Sequence, residues 1–207
     1  MKNLFDEKIV IEQFQSIVGK KYILTAKWSM QPYSKGWRYG EGEALAVVKP
    51  RTLLQIWDAL QICVENDIIV IMQAANTGLT GGSTPFGNDY DRPILIINTM
   101  LINDIHIIDN GNQIVGFPGS TLFGLEKKLA VYSREPHSVI GSSCIGASIV
   151  GGICNNSGGA LVKRGPAYTE LSLYAKINSE GKLVLINELG IDLGDNPNDI
   201  LTNLQDK

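Results

Sequence analysis

Cysteine is scarce in this chain: Cys63, Cys144 and Cys154 are odd in number and none belongs to a CxxC pair. A disulfide framework and a zinc site both need more, so the three read as reduced thiols of a cytosolic protein, packed as small buried hydrophobes. Positive charge is in short supply too, with 18 Lys and Arg against 21 Asp and Glu and a net charge of −3. That balance argues against nucleic acid as the main partner. No apolar run approaches the ~20 residues of a membrane span. The N-terminal MKNLFDEKIVIEQF sets acids where a secretory signal would have its apolar stretch. Two nucleotide signatures are missing as well: there is no GK[ST] of a Walker loop and no GxGxxG of a Rossmann turn.

What is present is 207 residues, 44% of them hydrophobic, enough for one large domain or two small lobes packed together. Val10, Phe14 and Ile17 share one face of a helix predicted from Asn3 to Val18 and stopped by Gly19. The stretch TAKWSMQPYSKGWRYGEGEA is polar, aromatic and rich in turn formers, which predicts an arm or long connection. LAVVKP reads as a short strand, Thr52 with Gln55 as a capping box, and Leu53, Ile56, Trp57, Leu60 and Val64 as a buried helical stripe. With IIVIM as a fully buried strand, residues 45 to 72 form a βαβ unit with a right-handed crossover. Residues 93 to 118 alternate ILIINT, DIHIID and QIVGFP with turns, the pattern of a meander. Leu122, Leu125 and Leu129 predict a short helix, and ELSLYAKIN and KLVLIN around SEG predict a hairpin. Asn196, Pro197 and Asp199 fit the N-cap, first and third positions of a last helix. That helix has barely begun at Lys207, so a piece of a longer protein is expected.

Two regions of small residues stand apart. QAANTGLTGGSTPFGN, residues 73 to 88, begins at the carboxyl end of the βαβ unit, where ligands of open α/β sheets sit. Glycine allows close backbone approach, and successive amides make a concave anion site without lysine. Asn76, Thr77, Thr80, Ser83 and Thr84 add side-chain donors, so the loop suits a diphosphate held by hydrogen bonds. A mobile surface loop is the competing reading. In the second region, GSSCIGASIVGGICNNSGG, a helix starting at Ile145 or Gly146 would leave free amides beside SSC. Gly151 and Gly152 weaken that helix and mark close packing of the helix on the sheet, or of a ligand on bare backbone. The pair of regions predicts a long ligand lying between two lobes.

AANTGLTGGSTP after a βαβ unit, followed by SVIGSSCIGASIVGGICNNSGG and RGPAYTELSLYAKINSEGKL, resembles the FAD-binding domain of the vanillyl-alcohol oxidase / p-cresol methylhydroxylase type. Within that family the wording is similar to the bacterial, membrane-associated branch that oxidises D-lactate with a quinone as acceptor. The resemblance runs from the first helix to the last. It implies an α+β fold: an N-terminal helix and arm (1–44), a small βαβ-containing lobe (45–100), a second lobe with a mostly antiparallel sheet and flanking helices (101–195), and the start of a truncated helix (196–207). It implies FAD extended between the lobes. In the longer enzyme, electrons would pass from D-lactate to a quinone at the cytoplasmic side of the bacterial inner membrane, reached through segments beyond Lys207; this part alone is expected to be soluble and inactive.

Carried over by position, Ala74, Ala75, Asn76, Thr77 and Gly78 correspond to the pyrophosphate loop, continued by Gly82 and Ser83. Gly141 and Ser148 correspond to second-lobe contacts, and Gly158 to a later turn against the flavin. Relatives with covalent flavin use a histidine in or near the first loop, and this loop has none, which implies non-covalent binding. No metal is implied, and the catalytic residues are expected beyond Lys207. His137 is read as a loop histidine bonding backbone near the cofactor rather than a base, and His106 as structural. Arg134 and Arg164 are read as surface or flavin-side salt bridges. Trp28, Tyr33, Trp37 and Tyr39 cover the cofactor or pack on the rest of the protein. A nicotinamide-dependent reductase of the same fold and a non-catalytic nucleotide-binding module are the competing functions.

Overall fold

Short runs of isoleucine and valine form the centre of the fold. The computed structural model describes residues 5–137, 143–158, 163, 165 and 168–206. Strands β1 (Ile23–Leu24), β2 (Ala46–Val48), β3 (Ile69–Gln73) and β4 (Ile94–Asn98) make one sheet in the order β1-β2-β4-β3. Both β2 and β3 run parallel to β4, and β1 is antiparallel to β2. Helix α3 (Leu53–Glu65) therefore connects two strands that are parallel but not adjacent, because β4 lies between them. All five residues of β4 are buried, whereas β3 is an edge strand whose Met72 is 46% exposed. This corrects the reading of IIVIM as fully buried and of ILIINT as part of a meander. An apolar run looks the same in sequence at the centre or the edge of a sheet.

Helix α1 (Glu7–Val18) has Asp6 as its cap, accepting from the amides of Lys8 and Ile9, and the expected start at Asn3 lies outside the described residues. Its Val10, Phe14 and Val18 pack with Ala46, Val48, Leu95 and Ile97. Thr52 Oγ1 caps α3 by accepting from Gln55 N at 3.1 Å. The Gln55 side chain accepts from Arg51 N and donates to Ile17 O at 2.9 Å, so this cap also ties α3 to α1. The arm contains a helix that the sequence reading missed, α2 (Lys27–Ser34), with Pro32 inside it. Pro32 can donate no hydrogen bond; Met30, packed on Val47 and Ile96, anchors this segment to the sheet.

Strands β5 (Ile105–Ile108) and β6 (Gln113–Gly116) form a hairpin covered by α4 (Leu122–Ala130), whose Leu122, Leu125 and Leu129 meet Ile105, Ala147 and Ile149. His106 packs edge-on to Phe117 at 5.2 Å. After α5 (Ile149–Cys154), the hairpin of β7 (Leu173–Ile177) and β8 (Leu183–Asn187) leads to α6 (Pro197–Asp206). Asn196 Oδ1 accepts from Asp199 N at 3.0 Å, the cap expected there. Ile200, Leu201 and Leu204 of α6 join Leu53 and Trp57 of α3, and Gln205 Oε1 accepts from Leu53 N at 2.7 Å. Of the cysteines, Cys63 is buried, and burial pushes its thiol up to about 12. Cys144 and Cys154 are exposed, which corrects the expectation of three buried thiols.

The centre-and-edge distinction has a measurable consequence. Ile96→Ala in β4 should lower unfolding stability by about 2–5 kcal/mol, and Met72→Ala at the edge by less than about 1 kcal/mol. Urea unfolding of the two variants checks this, and equal losses would contradict the strand order.

Candidate cofactor-binding site

Two apolar strands, β3 and β4, end in amides rather than in apolar residues: Gln73, Asn98 and the following Thr99 are all buried. They are there because the loop leaving β3 carries carbonyl groups into the interior, where each needs a donor. Gln73 Nε2 donates to Tyr33 O at 2.8 Å and to Ser83 O at 2.7 Å. Asn98 Nδ2 donates to Gln73 Oε1 at 3.2 Å and to Ala74 O at 2.9 Å. Thr99 N donates to Gln73 O at 2.8 Å, and Thr99 Oγ1 to Pro118 O at 3.2 Å. Gly119 lies directly over Thr99, where a Cβ would collide with the Thr99 carbonyl. Sequence reasoning passed over these residues. The signal was a polar side chain closing an otherwise apolar run, in IIVIMQ and in ILIINT.

The loop from Ala74 to Ser83 is braced by side chains that were expected to face a ligand. Asn76 Nδ2 donates to Lys35 O at 2.7 Å, and Asn76 Oδ1 accepts from Ser83 Oγ at 2.8 Å. Thr84 Oγ1 lies over Gly81 O at 3.3 Å. Asn76 (φ 55°) and Gly81 (φ 77°) hold the left-handed positions, and Gly78 does not. Gly78 and Gly82 are instead open: a Cβ on Gly78 would meet only Ser83 Oγ at 3.8 Å, and one on Gly82 would meet nothing within 4 Å. The backbone amides of residues 75 to 83 donate to no other group among the described residues. Nine successive amides without an internal acceptor are donors left available to a ligand, and a run of such donors can serve a diphosphate. Positive side chains are not the basis of this array, since Lys35 pairs with Glu41 at 3.7 Å. A recess of about 270 Å³ opens beside the loop start, lined by Lys35, Trp37, Ala75 and Asn76 among others.

The second small-residue region approaches the first at Gly146. Gly146 has φ 97°, and a Cβ there would lie 3.8 Å from the Ala75 Cβ. A residue with that φ cannot sit in a helix, so α5 begins at Ile149 and not at Ile145 or Gly146. Ser148 is the cap, its Oγ accepting from Gly151 N at 3.0 Å. Gly151 belongs to that cap, because a Cβ there would sit 2.6 Å from Ser148 Oγ, and Gly152 is buried. The Ile149 amide donates to Ser120 O at 2.9 Å, and Leu122 N to Ala147 O at 3.0 Å, fixing the segment to α4.

The structure thus brings together Ala74, Ala75, Asn76, Thr77, Gly78, Gly82 and Ser83, with Gly146 beside Ala75. Gly158 is exposed, with nothing within 4 Å of a Cβ. Gly141 and Arg164 lie outside the described residues. Arg134 Nε donates to Asn110 O at 2.9 Å and so fastens the turn between β5 and β6. His137 is exposed. In the arm, Tyr39 stacks on Phe86 at 5.7 Å, and Trp28 is 83% exposed.

This layout has known counterparts. P-cresol methylhydroxylase with substrate bound aligns over 92% of this chain and 39% of its own, with a TM-score of 0.67 at 18% identity. Alkyldihydroxyacetonephosphate synthase aligns over 95% of this chain and 37% of its own, with a TM-score of 0.70 at 13% identity. At such identities the likeness concerns the fold, an α+β FAD-binding architecture of the p-cresol methylhydroxylase type. The FAD binding domain family matches residues 44–185, and the chain belongs to that family. FAD is its cofactor. The quinone-dependent D-lactate dehydrogenase of Haemophilus influenzae is 62% identical over 198 residues, and that of Escherichia coli 56% identical over 201 residues. These matches take in 96% and 97% of this chain but 35% of each relative, so the chain spans about a third of their length.

The braces predict how the loop responds to substitution. Asn76→Ala removes two hydrogen bonds and strains a left-handed position, a local cost of about 1–3 kcal/mol. Asn76→Gly removes the bonds but tolerates the backbone. Limited proteolysis between residues 76 and 84 should quicken from wild type to Gly to Ala, roughly tenfold per 1.4 kcal/mol. Equal cleavage rates would show that Asn76 braces nothing.

Proposed function

We propose that this chain is the FAD-binding portion of a flavoenzyme that oxidises D-lactate to pyruvate and passes the electrons to a membrane quinone. One observation carries the cofactor part of the reading: the amides of residues 75 to 83, which have no partner among the described residues, in a loop open at Gly78 and Gly82 and approached by Gly146 at Ala75. The substrate and acceptor are those named in the relatives at 62% and 56% identity.

In this reading the diphosphate lies against the amides of residues 75 to 83. Ala74 fixes the start of the loop through its carbonyl, and Asn76 and Ser83 hold its shape. Thr77 has a side chain that can add a donor. Ser148 and Gly158 belong to the second wall, where Ser148 acts by setting the start of α5, and Gly141 is assigned to it by its place in the sequence alone. Binding is non-covalent, since residues 73 to 88 contain no histidine. When bound, FAD supplies a ring that accepts a hydride equivalent from the substrate carbon. This chain holds the cofactor in place. The groups that take the hydroxyl proton and pair with the lactate carboxylate belong to the remainder of the protein, as does the contact with the membrane at its cytoplasmic side. No helix among the described residues is long and apolar enough to cross a membrane.

Bulk, not backbone strain, is the sensitive property at Gly78. Gly78→Val should weaken FAD binding at least about tenfold, or 1.4 kcal/mol, with the far-UV circular dichroism unchanged. Titration by flavin fluorescence measures it, and equal affinity in both proteins would remove the loop from the cofactor site. In the full-length protein, D-lactate should bleach the flavin absorbance and NADPH should not. The opposite result would assign the reductase chemistry instead.

A further inference from the structure

We propose that Gln73 is a positioning residue for the cofactor: its carboxamide clamps both ends of the 74–83 loop and couples the arm around residues 33–42 to FAD binding. The inference rests on the FAD reading above and extends it to residues that touch no ligand.

Gln73 is 2% exposed and its polar atoms are engaged on three sides. One Nε2 hydrogen goes to Ser83 O, at the far end of the loop, and the other to Tyr33 O in the last turn of α2. Its Oε1 accepts from Asn98, whose second hydrogen goes to Ala74 O at the loop's near end. One pair of side-chain amides therefore fixes the separation of the loop ends, and with it the curvature of the nine amides between them. An apolar residue at this position would leave buried carbonyls without donors. A carboxylate would face two carbonyl oxygens where the amide now donates.

The arm is held to this loop at Asn76, and to the stretch just after it at Gly87, by independent contacts. Asn76 Nδ2 bonds Lys35 O at 2.7 Å. Gly87 N bonds Glu41 O at 2.9 Å, and Glu43 N bonds Gly87 O at 3.0 Å. The two segments approach closely at a glycine: a Cβ on Gly40 would lie 2.6 Å from Thr84 Oγ1 and 3.3 Å from the Gly81 Cα. Since the arm is joined to the loop in this one arrangement, a ligand that favours the arrangement also orders the arm, and the coupling is reciprocal.

The test uses the 207-residue chain and FAD titrations at about pH 5 and about pH 8, on either side of a buried carboxyl's ionisation. Wild type should bind equally at both. Gln73→Met, which keeps the shape without the donors, should bind at least tenfold more weakly at both. Gln73→Glu should bind weakly at pH 8 and recover in part at pH 5, where the neutral carboxyl regains one donor hydrogen. A Gln73→Glu affinity equal to wild type at pH 8, or one that does not rise at pH 5, overturns the proposal. Should the variants fail to fold, hydrogen exchange of wild type decides: saturating FAD should slow the amides of residues 36 to 43, and unchanged exchange there overturns it. Wild type that binds no FAD overturns the cofactor reading itself, whereas wild-type binding with an unaffected Gln73→Glu overturns only this inference.

Discussion

A backbone carbonyl taken out of water must find a donor, and that constraint governs the carboxyl end of the central sheet. The loop after β3 leaves the interior through Ala74 and returns at Ser83, and Asn98 and Gln73 supply their carbonyls from within. Thr99 serves Pro118 from the same place, and Gly119 is bare because the Thr99 carbonyl leaves no room for a side chain. The amides of the loop meet the opposite fate. The inner side chains satisfy acceptors while the donors of residues 75 to 83 stay available. A site of this kind attracts an anion through oriented dipoles, which suits a chain with a net charge of −3.

Much of this was legible in the sequence, and the reasons for the rest differ by element. Helices with both a stripe and a cap, such as α3 with Thr52 and α6 with Asn196, could be placed from local signals. The central position of β4 could not, because strand order is decided by packing between segments distant in sequence. Helix α2 was hidden by Pro32 and by a face that is mostly exposed. The start of α5 was misplaced because a serine cap at Ser148 competes with three other small polar residues upstream, and only the φ of Gly146 resolves them.

Composition marks the glycine-rich loop as a candidate ligand loop, but the division of labour within it was not legible. A list of donors cannot show that the Asn76 side chain is engaged by Lys35 and Ser83, since both contacts depend on how the arm folds over the loop. Nor does composition show which glycine needs its freedom. Gly81 needs it for φ, while Gly78 and Gly82 lack positive φ and border open space. The Cys144 and Cys154 thiols were misjudged because each lies on the exposed side of a segment whose Ala147, Ile149 and Gly152 face inward.

The bond from Leu53 N to Gln205 joins residues 152 apart, and it has a consequence for the order in which the protein is made. The sheet is complete in sequence once Asn98 has been synthesised, yet the face of α3 that carries Leu53 and Trp57 is covered by Leu193, Ile200, Leu201 and Leu204. At about 5–20 residues per second on the ribosome, that face waits roughly 5–20 seconds for its cover. During this interval the nascent chain presents a tryptophan and a leucine on the uncovered face of α3, the kind of surface that holding chaperones bind. The arrival of α6 against α3 is what ends that exposure.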